Sequence, residues 1–108
     1  MKYGKIPEVY LIAKQLPKEE KYGFTSRIKR CAIYRPANIA EGSAKYSQKD
    51  FIRFLQISLG SSYELETHIL LCEDLDFIKI ETSDQVTAKI QNLQKQIASL
   101  IKYNNSKQ

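Results

Sequence analysis

The chain has 108 residues, 43% hydrophobic and 27% charged, with a formal net charge of +5. This is the composition of one globular domain, 1–108, with a single modest core, and it excludes a disordered chain. No apolar run approaches the ~20 residues a bilayer-spanning helix needs, and the opening MKYGKIPEVY lacks the apolar block and cleavage site of a signal peptide. The expected location is therefore cytoplasmic, without a membrane partner.

Four helices are predicted, at about 7–16, 20–42, 47–77 and 83–104, with no credible strand. In the first, Val9, Ile12, Ala13 and Leu16 keep helical spacing. Pro7 suits a first-turn position and Pro17 stops the run. Gly23, in the following KEEKYG, reads as a break or loosened turn.

The second segment is apolar on two sides. Phe24, Ile28, Cys31, Ala32 and Ile39 make one face, while Ile33, Tyr34 and Ala37 fall roughly opposite. A helix apolar on two sides packs on two sides, so Ile33, Tyr34 and Ala37 are the candidate oligomer interface. Pro36 interrupts this helix. Because Ile39 and Ala40 resume the pattern and Gly42 supplies a C-terminal stop, Pro36 is expected to bend the helix and not to end it. The bend frees the carbonyl of Ala32, and Asn38 carries both a donor and an acceptor to answer such a group. Glu41, Glu64 and Glu66 read as members of a polar network with Arg30, Arg35 or Arg53, an architectural role. Catalytic carboxylates and solvated groups are the alternatives.

The third segment opens on Ser47-Gln48-Lys49-Asp50, an N-cap with an acidic residue three positions on. Phe51, Leu55, Ser58, Ser62, Leu65, Ile69 and Cys72 then alternate by four and three. Within SLGSS, Gly60 and its neighbouring serines predict a close helix crossing, a reason to accept a glycine that costs about 1 kcal/mol. After the loop IKIETSD, Ser83 is the expected cap of the fourth segment, where Val86, Ile90, Leu93, Ile97, Leu100 and Ile101 form a stripe. Short connections make successive helices antiparallel neighbours. The predicted fold is thus all-α, an antiparallel up-down-up-down four-helix bundle with helix two kinked at Pro36.

Little here points to catalysis. His68 is the single histidine, and Glu64, His68 and Cys72 share one side of a helix without a histidine or cysteine on the fourth segment to complete a metal site. No glycine-rich phosphate loop or nucleophile-base constellation is present. No metal, no cofactor and no enzymatic activity are expected. Cys31 and Cys72 read as buried free thiols.

Charge is more informative. Residues 1–54 hold 12 Lys/Arg against 5 Asp/Glu, whereas residues 55–108 hold 5 against 7. The basic first half makes an anionic partner worth testing. Candidate nucleic-acid contacts are Arg27, Lys29, Arg30, Lys45, Lys49 and Arg53, with Tyr46 nearby for stacking. They form a collar and not a single groove, so binding to RNA or DNA is expected to have low sequence specificity.

LPKEEKYGFTSRIKR, RPANIAEG and SQKDFIRFLQISLGSSYELET, in this order and spacing, resemble the four-helix bundle family of 23S rRNA intervening-sequence proteins over roughly residues 9 to 103. That resemblance implies a bacterial, ring-like homopentamer with no established enzymatic activity. The accessory proteins of diversity-generating retroelements are similar in fold; they are basic pentamers that bind nucleic acid and a reverse transcriptase, which makes a reverse transcriptase one candidate protein partner. The chain departs from the family pattern in a shortened first helix without the usual tryptophan, and in Tyr34-Arg35 before Pro36. Arg35 would fall on the core face of an unkinked helix, where an unpaired guanidinium is not tolerated. The function expected is a non-enzymatic homo-oligomeric basic scaffold for RNA or DNA; the alternative is a protein-protein adaptor bundle.

Overall fold

The computed structural model describes residues 12–30, 41 and 43–107, without the side chains of 28–30. Among them every regular element is helical and none is a strand. A short helical stretch, 12–15, precedes Pro17. Helix α1 covers Lys18–Arg30, α2 covers Gln48–Asp74 and α3 covers Ile80–Ser106.

Helix α1 starts directly after Pro17, whose carbonyl accepts from the amides of Glu20 (3.0 Å) and Lys21 (2.9 Å). Glu19 and Glu20 in its first turn complement the positive end of the helix. The break expected at Gly23 does not occur. An interior glycine costs about 1 kcal/mol, and full burial of the adjacent Phe24 returns about 1.5–3 kcal/mol. Burial wins.

Helix α2 begins as its sequence predicts. The Ser47 hydroxyl accepts from the Asp50 amide at 3.2 Å. It ends with Leu75 as C-cap and Asp76 in the left-handed region, φ 61°. The Phe77 amide reaches the Cys72 carbonyl (2.9 Å) and the Asp76 amide the Glu73 carbonyl (3.0 Å), the paired bonds of a Schellman motif. This cap stops α2 at Asp74, three residues short of the predicted end at Phe77.

Helix α3 starts earlier than predicted. Its N-cap is Lys79, in extended backbone and without a side-chain capping bond, and Ser83 donates its amide to the Lys79 carbonyl at 3.0 Å. Ser83 is therefore not the cap. It stands fully buried on the stripe with Val86 and Ile90, and Ile78 just before the helix is buried too. Apolar burial at the turn outweighs a local capping bond.

The two long helices pack antiparallel. Gln48 Nε2 at the start of α2 donates to the Asn104 carbonyl near the end of α3 (2.9 Å), and Glu66 accepts from Gln91 Nε2 (2.8 Å) and Gln94 Nε2 (3.0 Å). Between them lie Phe51, Leu55, Leu65, Ile69 and Cys72 against Val86, Ile90 and Ile97, while Phe24 of α1 joins the same core. Ser58 and Ser62 are buried on this face, their hydroxyls turned back to the carbonyls of Phe54 (3.0 Å) and Leu59 (2.6 Å). The serines thus fill the close-packed positions. Gly60 does not: it is exposed, and a Cβ there would meet nothing within 4 Å.

Pro36, Asn38, Gly42, Arg35 and Cys31, with the interface candidates Ile33, Tyr34 and Ala37, lie outside the described residues. So do residues 1–11 and the side chains of Lys29 and Arg30.

Candidate functional site

Antiparallel packing sorts the charge along the hairpin of α2 and α3. Its turn half, residues 61–93, holds seven carboxylates and two lysines. Its open half, residues 43–60 with 94–107, holds six cations and the carboxylate of Asp50. Two polar regions follow from this sorting, one at each half.

At the open half, Lys45, Lys49 and Arg53 are all exposed. Lys49 and Arg53 share the lining of a recess of about 330 Å³ with Asp50, Gln56 and Asn105. Tyr46 borders a second recess, of about 270 Å³, together with Asp50, Arg53, Phe54 and Ile57. The predicted aromatic is therefore beside the predicted cation. Lys45 is paired, 2.6 Å from Glu41 across one helical turn, with both groups in solvent. Glu41 thus has a lysine partner among the described residues, while Arg30 and Arg35, two of its expected partners, have side chains outside them. Exposed pairs of this kind contribute little to stability, so Lys45 can exchange Glu41 for another anion.

Arg27 is elsewhere. Its Nη1 lies 3.0 Å from His68 Nδ1, and His68 follows Arg53 by 15 residues, about 22 Å along α2. His68 is buried between α1 and α2, meets the ring of Phe24 edge-on at 5.4 Å, and places Nε2 3.5 Å from Glu20 Oε1. Arginine only donates, so Nδ1 must be the acceptor and the imidazole proton belongs on Nε2, facing the carboxylate. Burial, then the guanidinium of Arg27, holds the His68 pKa below its ordinary value, while Glu20 pulls the other way. The imidazole is a neutral bridge between two ions on α1.

His68 is therefore a buried residue with partners on a second helix, and not a solvated one. Only its line with Glu64 and Cys72 is visible from spacing; Glu20 and Arg27 come from 48 and 41 residues away. The remaining signal is Glu20-x₆-Arg27, two opposite charges on one face of α1, which by itself names no partner. Cys72 is buried, and its thiol pKa is raised by burial and then by Glu20, so the thiolate a nucleophile or ligand needs is suppressed. Among the described residues no three His, Cys, Asp or Glu side chains converge on a metal position.

Among the described residues, Glu66 accepts from two neutral glutamines of α3 and so ties the long helices together. Glu64 is exposed on α2 beside His68, at the edge of the groove between α1 and α2. Among the described residues no helix is long and apolar enough to cross a membrane.

Comparison with curated proteins finds no match. The family model for the 23S rRNA-intervening sequence protein matches residues 6–99, a span that includes α1, α2 and most of α3. The chain belongs to the 23S rRNA-intervening sequence protein family.

Proposed function

We propose that this chain is a non-enzymatic, homo-oligomeric scaffold that binds RNA or DNA with low sequence specificity. The subunit is an up-down-up-down four-helix bundle whose second helix bends at Pro36, and five copies form the assembly. Ile33, Tyr34 and Ala37 contribute the contact between copies, which the two-sided apolar pattern of that segment supports.

The observation that carries the nucleic-acid reading is the open half of the hairpin, with its six cations against one carboxylate. Lys49 and Arg53 stand side by side there with Tyr46 adjacent. Lys29 and Arg30 extend the same charge from the second segment, whereas Arg27 contributes less because His68 holds it. Cations of this kind neutralise phosphates and release counterions, and repeating a weak patch around an oligomer multiplies the effect. The single tyrosine offers a stacking surface that does not discriminate among bases.

Gel shifts against structured RNA and duplex DNA, from low to high salt, test the proposal. Wild-type protein should shift both, with affinity falling steeply as salt rises. Lys49→Gln with Arg53→Gln should flatten the logarithmic salt slope by about 0.7–0.9 for each phosphate that is no longer neutralised. No shift even at low salt overturns the nucleic-acid claim in favour of a protein adaptor. Light scattering after size exclusion tests the assembly, and a monomer at micromolar concentration removes it.

A further inference from the structure

Helix α1 is fastened to α2 by little apolar area. Among the described side chains of α1, Phe24 alone is buried. Beside it the α1 backbone passes close to His68: a Cβ on Gly23 would stand 3.9 Å from His68 Cε1 and 3.6 Å from Arg27 Nη1. The guanidinium of Arg27 thus folds back one turn, over Gly23, to reach the imidazole. Two ions of one helix grip a ring of another from opposite ends, Arg27 at Nδ1 (3.0 Å) and Glu20 at Nε2 (3.5 Å). The other titratable groups nearby belong to α2 itself: Tyr63 and Glu64 in the groove lining, and the buried thiol of Cys72 one turn on. Among the described residues, none of α3 lines this groove.

The grip is chemically asymmetric. A neutral imidazole serves both ions, accepting at Nδ1 and donating from Nε2. An imidazolium donates from both nitrogens and carries charge, so it suits Glu20 and opposes Arg27. We propose that His68 is a proton-operated latch: its protonation expels the Arg27 guanidinium into the groove, retains Glu20, and lets α1 detach locally from α2 while the α2–α3 hairpin stays closed. The groove encloses about 500 Å³ and already counts Arg27 in its lining, so the displaced side chain has a place to go. The hairpin holds because Leu55 and Ile69 are buried with Val86 and Ile90, an attachment that protonation does not touch. His68 is the single histidine, and histidine is the side chain whose ordinary value lies between about pH 5 and 8. The opening therefore has one trigger.

Hydrogen exchange on the full chain, followed amide by amide from about pH 7.5 to about pH 5 and corrected for intrinsic rates, tests the latch. Amides of α1 should be less protected than those of α2 and α3 at every pH, because their opening is local. Their protection should fall further as His68 takes up its proton, by up to about tenfold for each pH unit separating its folded value from about 6.5. The ring resonances of the single histidine give that folded value. His68→Gln keeps the bridge without the proton, since its amide can accept from Arg27 and donate to Glu20, and the acid step should vanish. Arg27→Gln removes the ion that protonation expels, so the titration of His68 should move up toward the ordinary value and the step should shrink. An α1 as fully protected as the hairpin at every pH would overturn the latch, as would an acid step that persists in His68→Gln. A histidine titration unmoved by Arg27→Gln would do the same.

Discussion

The two sides of α2 are held to their neighbours by different physics. Toward α3, an unbroken stripe from Phe51 to Cys72 is buried against Val86, Ile90 and Ile97, and the polar atoms on that side are mostly answered within the hairpin. Toward α1, a neutral histidine lies between an arginine and a glutamate, one phenylalanine is buried, and Leu71 and Leu75 remain in solvent. One side is closed by apolar area. The other depends on a protonation state and leaves apolar surface exposed.

The largest predicted effects test the closed side. Leu55 and Ile90 are fully buried, so Leu55→Ala or Ile90→Ala should each cost about 2–5 kcal/mol by chemical denaturation. Leu71→Ala, at an exposed position, should change stability by no more than about 0.5 kcal/mol. Comparable losses at Leu55 and Leu71 would erase the distinction between the two sides.

The open side is tested by pH. The ordinary histidine value near 6.5 applies to the unfolded chain, and the folded value of His68 is lower. Between those two values the unfolded chain binds a proton that the folded chain refuses. Stability should therefore be full above pH 6.5, decline as pH falls toward the lowered value, and level off below it. A protonated Nδ1 would also point its hydrogen at Arg27, replacing an acceptor by a second donor. His68 is the single histidine of the chain, so subtracting the profile of His68→Gln isolates this component. Identical profiles for the two proteins would show that His68 is not a neutral bridge. At neutral pH, His68→Ala, which strands the half-buried guanidinium of Arg27, should cost about 1–3 kcal/mol.

What is legible in the sequence follows the same division. The α2 stripe, the α3 stripe and the Ser47 cap all depend on residues within a turn or two of each other, and periodicity and capping chemistry are local signals. Removing that cap, Ser47→Ala, should cost about 1 kcal/mol by thermal unfolding, and a change near zero would mean that the helix end is held by something else. His68 is illegible because its partners are on another helix, and nothing in the spacing of Glu64, His68 and Cys72 identifies them. The bonds of Glu66 to Gln91 and Gln94 are illegible for the same reason, since both glutamines are on α3. Gly60 and Ser83 mislead differently. At each, a local rule (close crossing at glycine, capping by serine) competes with which face of the helix the fold buries, and burial prevails.

The smallest effect comes from inside the closed side itself. The Ser83 hydroxyl is buried beside the α3 stripe, and its Oγ has no hydrogen-bond partner among the described residues. Ser62, equally buried on α2, donates its hydroxyl to the Leu59 carbonyl at 2.6 Å. Both replacements by alanine remove one oxygen from the core, yet the energetics differ. At Ser62 the broken hydroxyl bond offsets the gain from removing a polar atom, and the net change should be within about 0.5 kcal/mol of zero. At Ser83 no bond is broken, and what disappears is the desolvation cost of an unanswered hydroxyl. Ser83→Ala should therefore raise stability, by up to about 1 kcal/mol, read as a shift of the denaturation midpoint at constant slope. A loss of stability at Ser83 would show that its hydroxyl has a partner when folded, and that the α3 side of the core is less purely apolar than its packing indicates.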